Sequence, residues 1–175
     1  EDDSVMMLTR ARLPWLVVGV VGGFLSAKFM GVFEEELARV TAIAFFIPLI
    51  QATGGNVGIQ SSSIVLQSLA NPSAFSDTMW RRLLKVFLVA ALNGVVLGVL
   101  VYAFNLLTGG EAQLSFIVSI ALFFVVIVAS FMGTITPLIL HRFGFNPALA
   151  SGPFITTTND LIGIGIYFYT VTLLL

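Results

Sequence analysis

Apolar residues run in five long stretches, and the short segments between them hold almost every charge. The stretches are Leu13–Phe33, Val40–Ala70, Leu83–Leu107, Leu114–Leu140 and Phe154–Leu175. A helix needs about 20 apolar residues to cross the hydrocarbon core of a bilayer, and each stretch reaches that length. The pattern predicts an all-α integral membrane domain over residues 13–175, with five transmembrane helices, preceded by a cytosolic lead-in over residues 1–12. The second stretch is too long for one straight span and contains Pro48 and the pair Gly54–Gly55. Its helix is therefore expected to be kinked or broken near Pro48–Gly55.

The loops set a direction. Arg10 and Arg12 precede the first span, Arg81, Arg82 and Lys85 lie between the second and third, and Arg142 lies between the fourth and fifth. The other two loops carry Glu34, Glu35, Glu36 and Arg39, then Glu111 alone. Basic residues mark the cytoplasmic side, so the N-terminus is expected inside and the C-terminus outside a multi-pass protein of the cell membrane. The basic cluster is expected to meet lipid headgroups. The chain opens EDDSVMM, without an initiator methionine, and reads as a fragment with an upstream portion.

Composition narrows the function classes. Charged residues are 10 % of the 175 positions and hydrophobic residues 58 %, whereas soluble domains are about 25 % charged. A net charge of −1 leaves no basic face for nucleic acid. Without cysteine, and with His141 alone, no Cys/His metal cluster can form in the chain. No phosphate loop and no nucleophile with its base appear, so the chain reads as a protein other than an enzyme.

One carboxylate breaks the pattern. Asp160 lies inside the fifth apolar stretch, about seven residues or roughly 10 Å from its inner end. An ionisable group at membrane depth costs about 2.5–3.5 kcal/mol on the insertion scale and marks an ion or substrate path by default. Thr156, Asp160, Gly163 and Tyr167 share one helical face by spacing, a narrow polar stripe suited to lining a cation path. The plainer alternative is an ion pair with a buried base or snorkelling from the helix end. Lys28 is the basic residue inside a span, and it is expected at a different depth.

The second stretch holds the densest polar cluster, QATGGNVGIQSSS, in which Asn56, Gln60, Ser63 and Gln67 form a stripe. Gly54, Gly55 and Gly58 would allow backbone carbonyls to face a water-filled path. Small and amide residues also serve as glue between membrane helices, and both readings stand. Gly19-x-x-x-Gly23, Gly54-x-x-x-Gly58 and Gly94-x-x-x-Gly98 read as close helix contacts.

Two segments, AFFIPLIQATGGNVGIQSSSIVLQSLA (residues 44–70) and NPALASGPFITTTNDLIGIGIYF (residues 146–168), resemble the membrane domain of the MgtE magnesium transporters and channels. The stretch from Arg12 to Leu16 is also similar. The resemblance implies a homodimer with five helices per subunit and a pore between the subunits, lined by the second and fifth helices. It implies that the pore carboxylate that binds Mg²⁺ falls on Asp160. Members commonly carry cytosolic sensing domains, an N-terminal helical domain and a CBS pair, ahead of the first span; this stretch of sequence contains neither.

The expectation is a dimeric channel or transporter for divalent cations, with Mg²⁺ as leading substrate. Asp160 supplies the metal site, and Thr156, Asn159, Gly163, Tyr167, Asn56, Gln60, Gly54 and Gly55 are the pore-lining candidates. Exchange coupled to Na⁺ or H⁺ and a nonconducting membrane scaffold are the rival readings.

Overall fold

The computed structural model describes residues 5–70 and 79–175, without the side chains of 79–80 and 149–151. Helix α1 runs Val5–Met30, a short α2 runs Glu34–Arg39, and α3 runs Ile47–Ala70. Helix α4 spans Met79–Leu107, α5 Ala112–Arg142 and α6 Pro147–Leu174. Turns of 3₁₀ helix at Gly31–Phe33 and Thr41–Phe46 flank α2. No strand occurs among the described residues.

Among the described residues, four segments are long and apolar enough to cross a membrane: Val5–Arg39, Thr41–Ala70, Arg81–Leu107 and Ala112–Arg142. The 28-residue α6 is of similar length, about 40 Å at 1.5 Å rise per residue. From Val5 onward the expected lead-in is already helical, so residues 5–12 continue the first span without a break.

Of the kink or break expected near Pro48–Gly55, the break does not occur there. Helix α3 is continuous through Pro48, Gly54 and Gly55, and the irregular backbone lies before it, at Val40 (φ −133°, ψ 85°) and the 3₁₀ run Thr41–Phe46. The cause is position. Pro48 sits in the first turn of α3, where a backbone N–H has no acceptor within the helix, so its missing donor disrupts nothing.

Helix α5 is the centre of the bundle, with α3, α4 and α6 against it and α1 leaning chiefly on α6. Between membrane helices there is little hydrophobic gain, because lipid is as apolar as leucine, so close fit decides the contacts. Small residues provide it. A methyl group on Gly133 of α5 would strike the backbone of Gly58 on α3, and one on Gly98 of α4 would come within 3.2 Å of the Ser119 carbonyl oxygen. Thus Gly54-x-x-x-Gly58 and Gly94-x-x-x-Gly98 are helix contacts, whereas Gly19 and Gly23 meet nothing within 4 Å in the described chain.

The apolar core gathers Ile43, Ile47 and Ile50, the N-terminal half of α5 and the C-terminal half of α6. Phe33 stacks on Phe168, centroids 4.3 Å apart and planes within 6°. That stack anchors the α1–α2 connection to the end of α6.

Candidate functional site

Asn146 caps α6 by accepting a hydrogen bond from the Ala148 N–H at 3.0 Å, and Pro147 begins the helix with its φ already set. This start lies upstream of the apolar stretch. It places Asp160 midway along α6 rather than near one end. Asp160 is half-buried and has no hydrogen bond or ion pair among the described residues. Lys28 is exposed on α1 and makes no ion pair with it. Among the described residues no base neutralises the carboxylate, and it does not lie at a helix end.

The stripe Thr156, Asp160, Gly163 and Tyr167 shares one face but meets two environments. Tyr167 is fully buried, and its hydroxyl donates to the Ile43 carbonyl at 2.9 Å. Gly163 is buried with Ile50 and Val125 nearest to it. The 3₁₀ run and the first turn of α3 cover this C-terminal half of the face. Thr156 and Asp160, further back along the helix, stay half-open. The Thr156 hydroxyl donates to the carbonyls of Gly152 (3.1 Å) and Pro153 (3.2 Å), which leaves its oxygen as an acceptor.

Asn159, one residue before the carboxylate, points about 100° away round the helix and is 2 % exposed. Its Nδ2 donates to the Gly54 carbonyl of α3 at 3.1 Å, while Oδ1 is buried without a partner. Gly58, one turn along α3, faces the same amide and Ile155 so closely that any side chain would collide with them. On the other flank of Asp160, Thr157 lies against Gly22 of α1. The carboxylate therefore stands between two seams, one to α3 and one to α1.

The α3 polar stripe faces outward. Asn56, Gln60, Ser63 and Gln67 are exposed, opposite the buried Gly54, Gly58, Ser62 and Val65. Within one chain the structure brings Gly54 to Asn159 but does not bring Asn56 or Gln60 to Asp160; Gly55 is buried with open space beside it. A row of amides and hydroxyls on a membrane-length helix needs water or protein against it, since hydrocarbon satisfies none of those groups.

No group of three or more His, Cys, Asp or Glu residues placed to hold one metal ion occurs among the described residues. A cation at Asp160 would meet one carboxylate from this chain, with a threonine hydroxyl one turn away. The stripe reading missed the bonds from Asn159 to Gly54 and from Tyr167 to Ile43. The signal for the first was an amide beside the carboxylate together with the Gly54-x-x-x-Gly58 spacing on another helix.

The family of divalent cation transporters named MgtE matches residues 47–170, which include Asn56, Gln60, Asn159 and Asp160. A magnesium transporter MgtE of Bacillus subtilis is 36 % identical over 171 residues, covering 98 % of this chain and 38 % of that protein. Its counterpart in Thermus thermophilus is 35 % identical over 176 residues, covering 100 % of this chain and 39 % of the relative. That of Enterococcus faecalis is 31 % identical, covering 95 % and 37 %. The chain thus spans under two fifths of the length of each of these relatives.

Proposed function

Because this chain belongs to the MgtE family of divalent cation transporters, we propose that it moves a divalent cation, Mg²⁺ first among them, across the cell membrane through a pore on the axis of a homodimer. All five long helices cross, with the N-terminus inside and the C-terminus outside. The observation that carries the reading is Asp160, a carboxylate midway along an apolar helix, half-open and unpaired among the described residues.

An uncompensated carboxylate in hydrocarbon is expensive, and a cation or water at its open side removes the penalty. Mg²⁺ sheds water reluctantly and is commonly held by one or two carboxylates while keeping several waters. A two-fold axis beside α6 would set two Asp160 carboxylates face to face. Thr156 would then accept from the ion's water shell. The exposed amides of α3, Asn56 and Gln60, supply the polar wall that a hydrated ion needs along its way. Asn159, Gly163 and Tyr167 act from behind, holding α6 to α3.

Magnesium-dependent dye fluorescence in proteoliposomes tests this reading. Under an imposed Mg²⁺ gradient the protein should carry uptake that follows the gradient and the voltage without added Na⁺ or a pH difference. Uptake that required either coupling ion would replace the channel with an exchanger, and absence of any divalent flux would contradict transport by this chain.

A further inference from the structure

The end of the bundle where α1 begins gathers aromatic rings and arginines. Helix α5 stops there in a tight turn. Gly144, at φ +78°, lets its own N–H reach the His141 carbonyl (3.1 Å) and the Phe145 N–H reach that of Leu140 (3.0 Å). The turn brings Phe145 onto α1, edge-on to Trp15 with ring centroids 6.4 Å apart, a favoured aromatic geometry. Phe154 of α6 meets the same indole at 6.0 Å. Trp15 is half-buried, yet Phe145 is 53 % and Phe154 39 % exposed, so the cluster reaches the surface. The indole N–H has no hydrogen bond among the described residues. Arg12 lies three residues before Trp15, on the same helix face, and Arg142 lies three before Phe145, no more than about 10 Å along the chain. Both arginines are exposed, and neither has a hydrogen bond or ion pair among the described residues.

We propose that this cluster binds the headgroup of an anionic phospholipid. The phosphate sits between the Arg12 and Arg142 guanidinium groups, whose forks match its oxygens. The Trp15 N–H donates to the glycerol ester region, the level at which membrane tryptophans collect, and an acyl chain lies over Phe154. Chemistry selects this occupant over others. Free phosphate would match the two cations but leave the rings uncovered. A second copy of this chain, docked by the same patch, would set arginine against arginine. A phospholipid matches both parts, since anionic headgroups collect where basic residues end a membrane helix. The bound headgroup would bridge the start of α1 and the turn into α6, the helix that carries Asp160. The inference stands on the membrane helices alone and does not depend on the ion path.

Native mass spectrometry of the protein in mild detergent, titrated with phosphatidylglycerol or phosphatidylcholine, tests it. The wild type should retain phosphatidylglycerol with a preference over phosphatidylcholine of roughly tenfold or more. Arg12→Gln combined with Arg142→Gln should abolish the preference. Lys28→Gln combined with Arg39→Gln removes the same charge elsewhere and should keep it. Trp15→Phe preserves an aromatic ring and removes the N–H; retention should fall about threefold, which decides the matter if the charge variant does not fold. No retention by the wild type, or retention unchanged by the Arg12 and Arg142 substitutions or by Trp15→Phe, would overturn the proposal. An equal loss in the Lys28 and Arg39 variant would overturn it by reducing the effect to net charge. Displacement of the lipid by millimolar inorganic phosphate would overturn it too, by assigning the site to a free anion.

Discussion

Asn159 donates to the carbonyl of Gly54 at 3.1 Å, and this bond ties α6 to α3 one residue before Asp160. The carbonyl is free to accept across helices because Gly54 has no side chain to hold them apart. Gly58 and Gly133 continue the same contact into α5, so three helices meet around the amide. Turning α6 about its axis would break the bond before it moved the carboxylate far. The orientation of Asp160 is thus fixed by its neighbour.

Replacing Asn159 with leucine removes the donor and leaves the Gly54 carbonyl only its bond within α3. The expected loss is about 1 kcal/mol of stability, given the modest net worth of hydrogen bonds between membrane helices. Asn159→Asp should cost more at a pH where the aspartate is ionised, because a charged acceptor then faces the carbonyl oxygen. Thermal unfolding in detergent measures both; an aspartate variant as stable as wild type would contradict the assignment of donor and acceptor.

Gly133→Ala places a methyl group against the backbone of Gly58, which cannot swing aside as a side chain could. Overpacking of this kind costs about 1–3 kcal/mol. Gly19→Ala meets nothing within 4 Å and should be neutral. Comparing the two melting temperatures checks the packing, and equal values would count against it.

Tyr167→Phe keeps the ring in the core and removes the hydroxyl that holds the Ile43 carbonyl. The short 3₁₀ segment Thr41–Phe46 should loosen. Amide hydrogen exchange there should rise clearly above wild type while the middle of α5 is unchanged. Protection that stays the same would mean the hydroxyl does not hold this segment.

The outward stripe of α3 can be probed chemically, since the chain contains no cysteine. A cysteine in place of Asn56 should react with a water-soluble maleimide in the membrane-embedded protein. One in place of Val95, 53 % exposed on α4, should react at least tenfold more slowly if hydrocarbon covers it (thiolates form poorly in apolar surroundings). Similar rates at the two sites would remove the reason for placing water beside α3.

Much of the bundle was legible because apolar length alone announces a membrane helix, and Asp160 stood out because nothing else in its stretch is charged. The partners of each face were harder to read. Periodicity placed Tyr167 on the face of Asp160, yet only the folded chain shows Ile43 covering one and leaving the other half-open. Asn159 was named as a pore-lining candidate, but its bond to Gly54 was hidden for a simpler reason: adjacent residues on a helix point in different directions, so its partner helix could not be read from the stripe. Pro48 signalled an interruption, but a proline in a first turn interrupts nothing, and the irregular backbone precedes it. The ring contacts of Trp15 with Phe145 and Phe154 join segments far apart in sequence, which no local pattern connects.

The most direct test of the central claim is Mg²⁺ uptake into proteoliposomes by wild type and by Asp160→Asn, matched for folding and reconstitution. The substitution keeps the size of the side chain and removes the charge. The ion-path account predicts uptake by the wild type and a fall of at least tenfold in the variant. Equal uptake by the two proteins would contradict it, and would move the cation site away from Asp160.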